Sequence, residues 1–501
     1  MHVIQKILLD LENLNIKYCH FKSNQHVDRS FDGFSDFDVL VDNSKKEVVH
    51  QVLIYNGCKR FEPEYIGSYP GVENWFAFDE NTGKIFHIHL HYQLISGKSL
   101  VKDYVFPWRD FALNNAIKDS KWDIYISNPN FEILLLITRV IVKSKLRDYI
   151  SAVFGRYKIK RDMLIEYEYL RDRIDETVLK DYAYQLLSEK TADYLHSFIL
   201  SCTTLRSHEF IRINRLLRKE LKNHRRYNPL YALLVSIILR YKDLSNKVLS
   251  RKLGKNIVTR KVTSSGGKII AFIGVDGCGK STVSDEINKW LGRKFECKKF
   301  YMGSGDGKKN FFANFVSLLN KRLKKLSNET QQKNEKIEVI SFKKEPIKYV
   351  KRYVRALVIY SVARGNRKKI IKMHRYRLNG GISVLDRYPQ LEHENMNDGL
   401  KLRKYSKVLN SRFIMRLAQK EEKLMQIVNE IYPDIVFRLN ISPEVSMARK
   451  PEEHHDINPL RQKVMAVKSL RFEGSKMIEV DAEQPYEEEL LYIKKKIWEC
   501  L

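Results

Sequence analysis

Gly274, Gly279, Lys280 and Ser281 satisfy the pattern G-x-x-x-x-G-K-[ST]. Glycines at those places let backbone N–H groups turn inward around a phosphate, and a helix starting at the lysine points its positive end at the same spot. The Lys280 ammonium can then reach the outer phosphates as a point charge. The Ser281 hydroxyl can ligate Mg²⁺, with Thr282 behind it. Residues 268–273 are a short apolar run rich in isoleucine, as a buried parallel strand requires, and an amphipathic helical pattern follows the lysine. A chance match would lack that setting, so nucleoside triphosphate binding is expected here.

Further along, residues 382–385 read as a buried strand with Asp386 at its C-terminal end, the edge where open α/β sheets bind ligands. An acid there suits Mg²⁺, and Arg387 beside it can hold a phosphoryl group bidentately. Residues 435–439 form another strand, followed by a turn at 442–444 and a helix ending in Arg449 and Lys450. The polar stretch 451–463 offers Arg461 and Lys463, the cations a lid over transferring phosphates needs. Near the N-terminus, Asp36 and Asp38 stand at i and i+2 of an expected strand and share a face, which suits a divalent metal carrying a triphosphate or, equally, an exposed alternating edge. His87, His89 and His91 alternate in the same way. They either complete a metal site with the two acids or form a polar face toward solvent or a sugar.

These groups need elements to hold them, and 501 residues suffice for about three domains. The expected layout is 1–125, an α+β domain opened by an amphipathic helix; 126–262, a helical basic connector with no catalytic motif; and 266–501, an α/β domain around a parallel sheet. Residues 264–267 (Ser-Ser-Gly-Gly) read as the linker. Lys and Arg total 90 against 60 acids, a net +30, which predicts an anionic partner: nucleotide, nucleic acid or acidic membrane surface. The charge is concentrated at 206–261, with sixteen Lys or Arg against three acids, and at 308–377, with twenty-one against four. Within the first of these blocks, 229–240 is too short to span a bilayer. Flanked by Arg225, Arg226, Arg240 and Lys242, it reads as a buried helix or as one lying in a membrane interface. No RRM, KH or helix-turn-helix signature accompanies the charge, so nucleic acid is not the expected partner. Six scattered cysteines without a C-x-x-C pair, an N-terminus unlike a signal peptide and no long apolar run point to a reduced, cytoplasmic protein, peripheral to membranes if it meets them at all.

In order, GVDGCGKST, LDRYP and PDIVFRLNISPEVSMARK resemble the thymidylate kinase family of P-loop nucleoside monophosphate kinases, over about residues 266–501. The resemblance implies a three-layer P-loop sandwich, ATP and Mg²⁺ as cofactors, and in-line transfer of the γ-phosphoryl group to dTMP or a related nucleotide. It makes Gly274, Asp276, Gly277, Gly279, Lys280, Ser281, Thr282 and Arg461 the ATP-binding set. Lys280, Arg387 and Arg449 become the catalytic cations, and Ser281 and Asp386 the metal residues. Asp276, Asp386 and Arg387 would face the acceptor side. The segment after LDRYP, QLEHENMNDGLKL, departs from the family's acceptor segment, and this supports a sugar or lipid-linked glycan as the alternative acceptor. An ATP-binding regulatory or scaffolding protein is the alternative from another class.

Residues 18–92 resemble the nucleotidyltransferase superfamily, in which a Gly-Ser turn precedes a D-x-D strand. Here the turn is Lys22-Ser23-Asn24, and the later strand carries histidines where the family has its third acid. The implied domain is a degenerate, substrate-binding version, with Asp36, Asp38 and His89 as metal residues. The fusion of the two regions resembles bacterial proteins associated with surface polysaccharide synthesis.

Overall fold

The structure, a computed structural model, describes every residue except 1, 64–66, 202–204, 253–259, 303–345, 395–398 and 452–455. It divides into two compact units, Met1–Lys255 and Asn256–Leu501.

The first unit is built on a mixed sheet. Its strands are β1 (Tyr18–His20), β2 (Phe37–Val41), β3 (Lys59–Glu62), β4 (Val72–Phe78), β5 (Ile85–His91), β8 (Ile117–Lys118) and β9 (Tyr125–Ile126), with a separate ribbon of β6 (Leu94–Ser96) and β7 (Tyr104–Phe106). Within the unit they lie in the order β3-β4-β5-β2-β1-β9-β8. The β2–β5 pair is parallel, in a register that sets Asp38 beside His89 and Leu40 beside His91. Side-chain alternation gives the sheet two buried faces. Tyr18, Val39 and Val41 pack with Ile7, Leu11 and Val52 from the helices Val3–Asn13 and Lys46–Tyr55. Cys19, Phe21 and Leu40 pack with the helix Pro129–Lys143 and with helices reaching to Glu220. The helices expected as a connector thus share one apolar core with the N-terminal strands.

Pro129–Lys143 starts as its sequence dictates. Asn128 caps it, accepting from Asn130 N at 3.0 Å, and Pro129 takes the first turn, where no N–H is needed. Among its described residues, the helix Pro229–Lys252 buries only the small Ala232 and Ser236. Leu230, Leu234, Ile238 and Tyr241 are exposed by 73, 59, 53 and 73%. Of the two readings for 229–240, the buried helix is therefore the one corrected. Among the described residues no helix is long and apolar enough to cross a membrane.

The second unit opens with β10 (Val262–Thr263) and holds β11 (Ile269–Ile273), β12 (Cys297–Tyr301), β13 (Ile382–Asp386), β14 (Ile435–Asn440) and β15 (Lys476–Asp481). The last five form a sheet in the order β12-β13-β11-β14-β15, every pair parallel. All five β11 residues are buried, because helices cover both faces. Ile269, Ala271 and Ile273 pack with Ile370 and Met373 of the helix Pro346–Leu378. Phe272, on the opposite face, stacks on Phe437 with ring centroids 5.2 Å apart. Most of the basic block 308–377 lies outside the described residues, and so do part of the altered acceptor segment and the first part of the expected lid, 452–455.

Candidate phosphate-binding site

The central strand β11 runs straight into the loop 274–279 and then the helix Lys280–Gly292. Gly277 and Gly279 have φ of +90° and +91°, a region L side chains rarely adopt, and a Cβ at Gly277 would press on the Ser446 carbonyl at 3.1 Å. The loop is also tied from outside, since Ser446 Oγ donates to the Asp276 carbonyl at 2.7 Å. Lys280 is 4% exposed, and its Nζ donates to the Val275 carbonyl at 2.5 Å, so the ammonium folds back over the loop's own amides.

The parallel register brings the end of β13 alongside. Phe272 pairs with Asp386, and Ser281 Oγ donates to Asp386 Oδ2 at 2.6 Å. Asp386 is 1% exposed, and its Oδ1 is buried without a hydrogen-bond partner. A buried carboxylate oxygen in that state lacks a cation or donor. A divalent ion therefore fits here, with Ser281 and Asp386 as the residues that would hold it. Lys299, on β12, approaches from the other side: its Nζ lies 2.9 Å from Asp285 and 4.0 Å from Asp386 Oδ2. Arg387 takes a left-handed φ of +74°, and its Nη2 donates to Asp276 Oδ1 at 2.8 Å. Burial alone would raise the Asp276 carboxyl. Arg387, with Lys280 and Lys463, overrides it and holds the group below its usual value.

The structure thus gathers Gly274, Asp276, Gly277, Gly279, Lys280, Ser281, Asp386 and Arg387 at one sheet edge; Thr282 follows at the helix start, exposed. It does not bring the two expected lid arginines there. Arg449 Nη2 donates to the Ala482 carbonyl at 3.0 Å, and Arg461 pairs with Glu444 at 3.3 Å while 56% exposed. The cation of the helix Ile457–Ser469 whose field reaches Asp276 is Lys463, two positions on from Arg461. Lys299 carried no sequence signal of its own; only the pairing of β12 with β13 brings it in.

In the first unit the two aspartates part company. Asp36 pairs with His87 at 2.6 Å, and His87 in turn contacts Asn74 at 2.9 Å. Asp38 meets His89 at 3.0 Å, His91 at 3.3 Å and Lys22 at 2.9 Å. Among the described residues the group with ligand spacing is Asp38, His89 and His91, with His91 in the place expected for Asp36. Burial pushes the His91 imidazole down to about 3, leaving it neutral and able to ligate. Burial would raise Asp38, but Lys22 and the two histidines hold it well below its usual value. The turn at Lys22-Ser23-Asn24 is occupied from within. Ser23 N donates to Glu166 Oε1 at 3.2 Å and Asn24 N to Glu132 Oε1 at 3.1 Å. Both acids come from helices to which the sequence assigned no chemistry.

No family model matches the chain. Two proteins of Escherichia coli K12, the uncharacterized ATP-binding proteins YghR and YghS, are 28% identical over 236 residues and 27% over 229. They cover 46% and 45% of this chain and 86% and 91% of their own lengths. A thymidylate kinase of Prochlorococcus marinus is 27% identical over 195 residues, 38% of this chain and 74% of its own. Among solved structures, deoxyadenosine kinase from M. mycoides with bound dATP covers 46% of this chain and 98% of its own, at 18% identity and a TM-score of 0.27. The likenesses extend over about half the chain.

Proposed function

We propose that the chain is an ATP- and Mg²⁺-dependent phosphotransferase whose acceptor is dTMP or a related nucleoside monophosphate. The observation that carries this reading is the contact between Ser281 Oγ and Asp386 Oδ2 at 2.6 Å, beside a buried lysine and a carboxylate oxygen with no partner. The ATP-binding names of two relatives and the thymidylate kinase name of a third support it. The loop amides and Lys280 would hold the donor phosphates and neutralise charge as it develops. Arg387 would exchange its Asp276 partner for the acceptor phosphate. An acceptor oxygen forms a new P–O bond to the γ-phosphorus as the bond to the departing ADP oxygen breaks. Mg²⁺, when bound at Ser281 and Asp386, supplies further neutralisation of the donor oxygens.

The test is ADP release measured across nucleoside monophosphates and sugar acceptors. The expected result is acceptor-dependent release that falls by about 10²-fold or more in Lys280→Ala. Intact ATP binding with no acceptor-dependent release from any member would sink the enzyme reading in favour of an ATP-dependent switch or scaffold. A sugar or lipid-linked glycan as the productive acceptor would replace the nucleotide. The exposed apolar residues of Pro229–Lys252, set among cations, favour a second property: peripheral contact with an acidic membrane surface.

A further inference from the structure

The first unit holds a cavity of about 150 Å³. It is walled by Phe21, Leu94 and Phe106 and lined by four cations, Lys22, Lys102, Arg139 and Lys143. Among the described residues, Lys102 and Lys143 have no carboxylate partner. Arg139 approaches Glu166 no closer than 3.7 Å, and its Nη1 is buried without a hydrogen bond. Lys22 is matched by Asp38. Four basic side chains therefore face two carboxylates, an excess of positive charge that a bound anion would offset. Crowding is already felt: burial, then Arg139, Lys102 and Lys22, push the Lys143 ammonium down to about 7. Ser96, 1% exposed, also lines the cavity, and its Oγ has no partner. Buried hydroxyls and guanidinium nitrogens are rarely left unpaired unless something else satisfies them.

The neighbouring turn cannot supply a phosphate cradle, because its amides at Ser23 and Asn24 are taken by Glu166 and Glu132. An anion in this cavity must be held by side chains. We propose that the first unit binds a phosphomonoester dianion here, its phosphate on Lys102, Arg139 and Lys143 and the esterified group against Phe21, Leu94 and Phe106. The apolar wall beside the cations favours an ester over bare phosphate, its organic group sharing the cavity with Ser96. The site is separate from the glycine loop and stands whether or not the second unit transfers phosphate.

Binding is measured by calorimetry on the full chain carrying Lys280→Ala, with chelator present, using inorganic phosphate and glucose 1-phosphate as probes. One saturable event is expected, tighter for the sugar phosphate. Lys102→Ala and Arg139→Gln should each weaken it about tenfold or more, the worth of one charged hydrogen bond. Lys143→Met gives a readout that a structural role would not: the unliganded chain should melt higher, relieved of a buried unpaired charge, and the rise in Tm on adding phosphate should disappear. Absence of saturable binding at millimolar probe, or affinity unchanged in both Lys102→Ala and Arg139→Gln, would overturn the proposal.

Discussion

Asp386 makes one good contact, to Ser281, and leaves its second oxygen bare. Asp386→Asn should therefore fold and yet lose Mg²⁺-dependent phosphoryl transfer by about 10²-fold, while ATP affinity in EDTA changes little. Equal activity in the two proteins would remove Asp386 from the metal set. Glu489 permits a pH test. Burial raises its carboxyl to about 7, with Asp481 adding and Arg449 opposing, and its Oε1 has no hydrogen-bond partner. A carboxyl raised in this way favours the folded chain while protonated; its contribution is complete below about 4.5 and is lost as pH rises through about 7. Glu489→Gln should accordingly gain in Tm over the parent between pH 5 and pH 8, and a constant difference would refute the assignment. At this scale the loop was legible because its spacing is local: 274–282 is one turn and one helix start. Lys299, Glu132 and Glu166 were not, because each reaches its partner through pairing or packing that no local pattern encodes; Lys463 was read only as one of two lid cations. Arg449 and Arg461 misled for the same reason, since a cation in the right segment says nothing about which way it turns.

Strands were easier to read than sites. The runs at 268–273, 382–385, 435–439 and 477–480 end within a residue of β11, β13, β14 and β15, because buried parallel strands are continuous apolar runs. The helix Pro129–Lys143 was legible as a buried helix from its cap and composition, yet its Glu132, Arg139 and Lys143 were invisible as site residues. The chemistry lies in what they meet: Glu132 the turn at Asn24, Arg139 and Lys143 the cavity that His89 and His91 also line. Pro229–Lys252 was ambiguous in sequence, since a helix rich in leucine and isoleucine reads alike in a core and at an interface. Its exposed residues give a direct test. The full chain should sediment with vesicles containing phosphatidylserine and much less with phosphatidylcholine alone, and Leu234→Glu with Ile238→Glu should abolish the difference. Undiminished sedimentation of that variant would dismiss the helix as the contact.

At the scale of the whole chain, the two units each have their own core, with β1–β9 and their helices in one and the parallel sheet in the other. We expect chains of 1–255 and 256–501, made separately, each to melt cooperatively, with ATP binding retained by the second. A second fragment that stays unfolded alone would contradict it. The three-part layout of 1–125, 126–262 and 266–501 followed composition, which changes where the helices become basic. Cores form where apolar faces meet, and the faces of 129–220 meet the sheet of residues 18–126. The uncompensated cations around Lys143 reach as far as the choice of buffer. A protein at +30 with an excess of positive charge inside it will take phosphate and sulfate as ligands, whereas chloride will only screen its surface. At equal ionic strength the three salts should give different melting temperatures, and a buffer chosen for convenience will decide which form of the first unit is being studied.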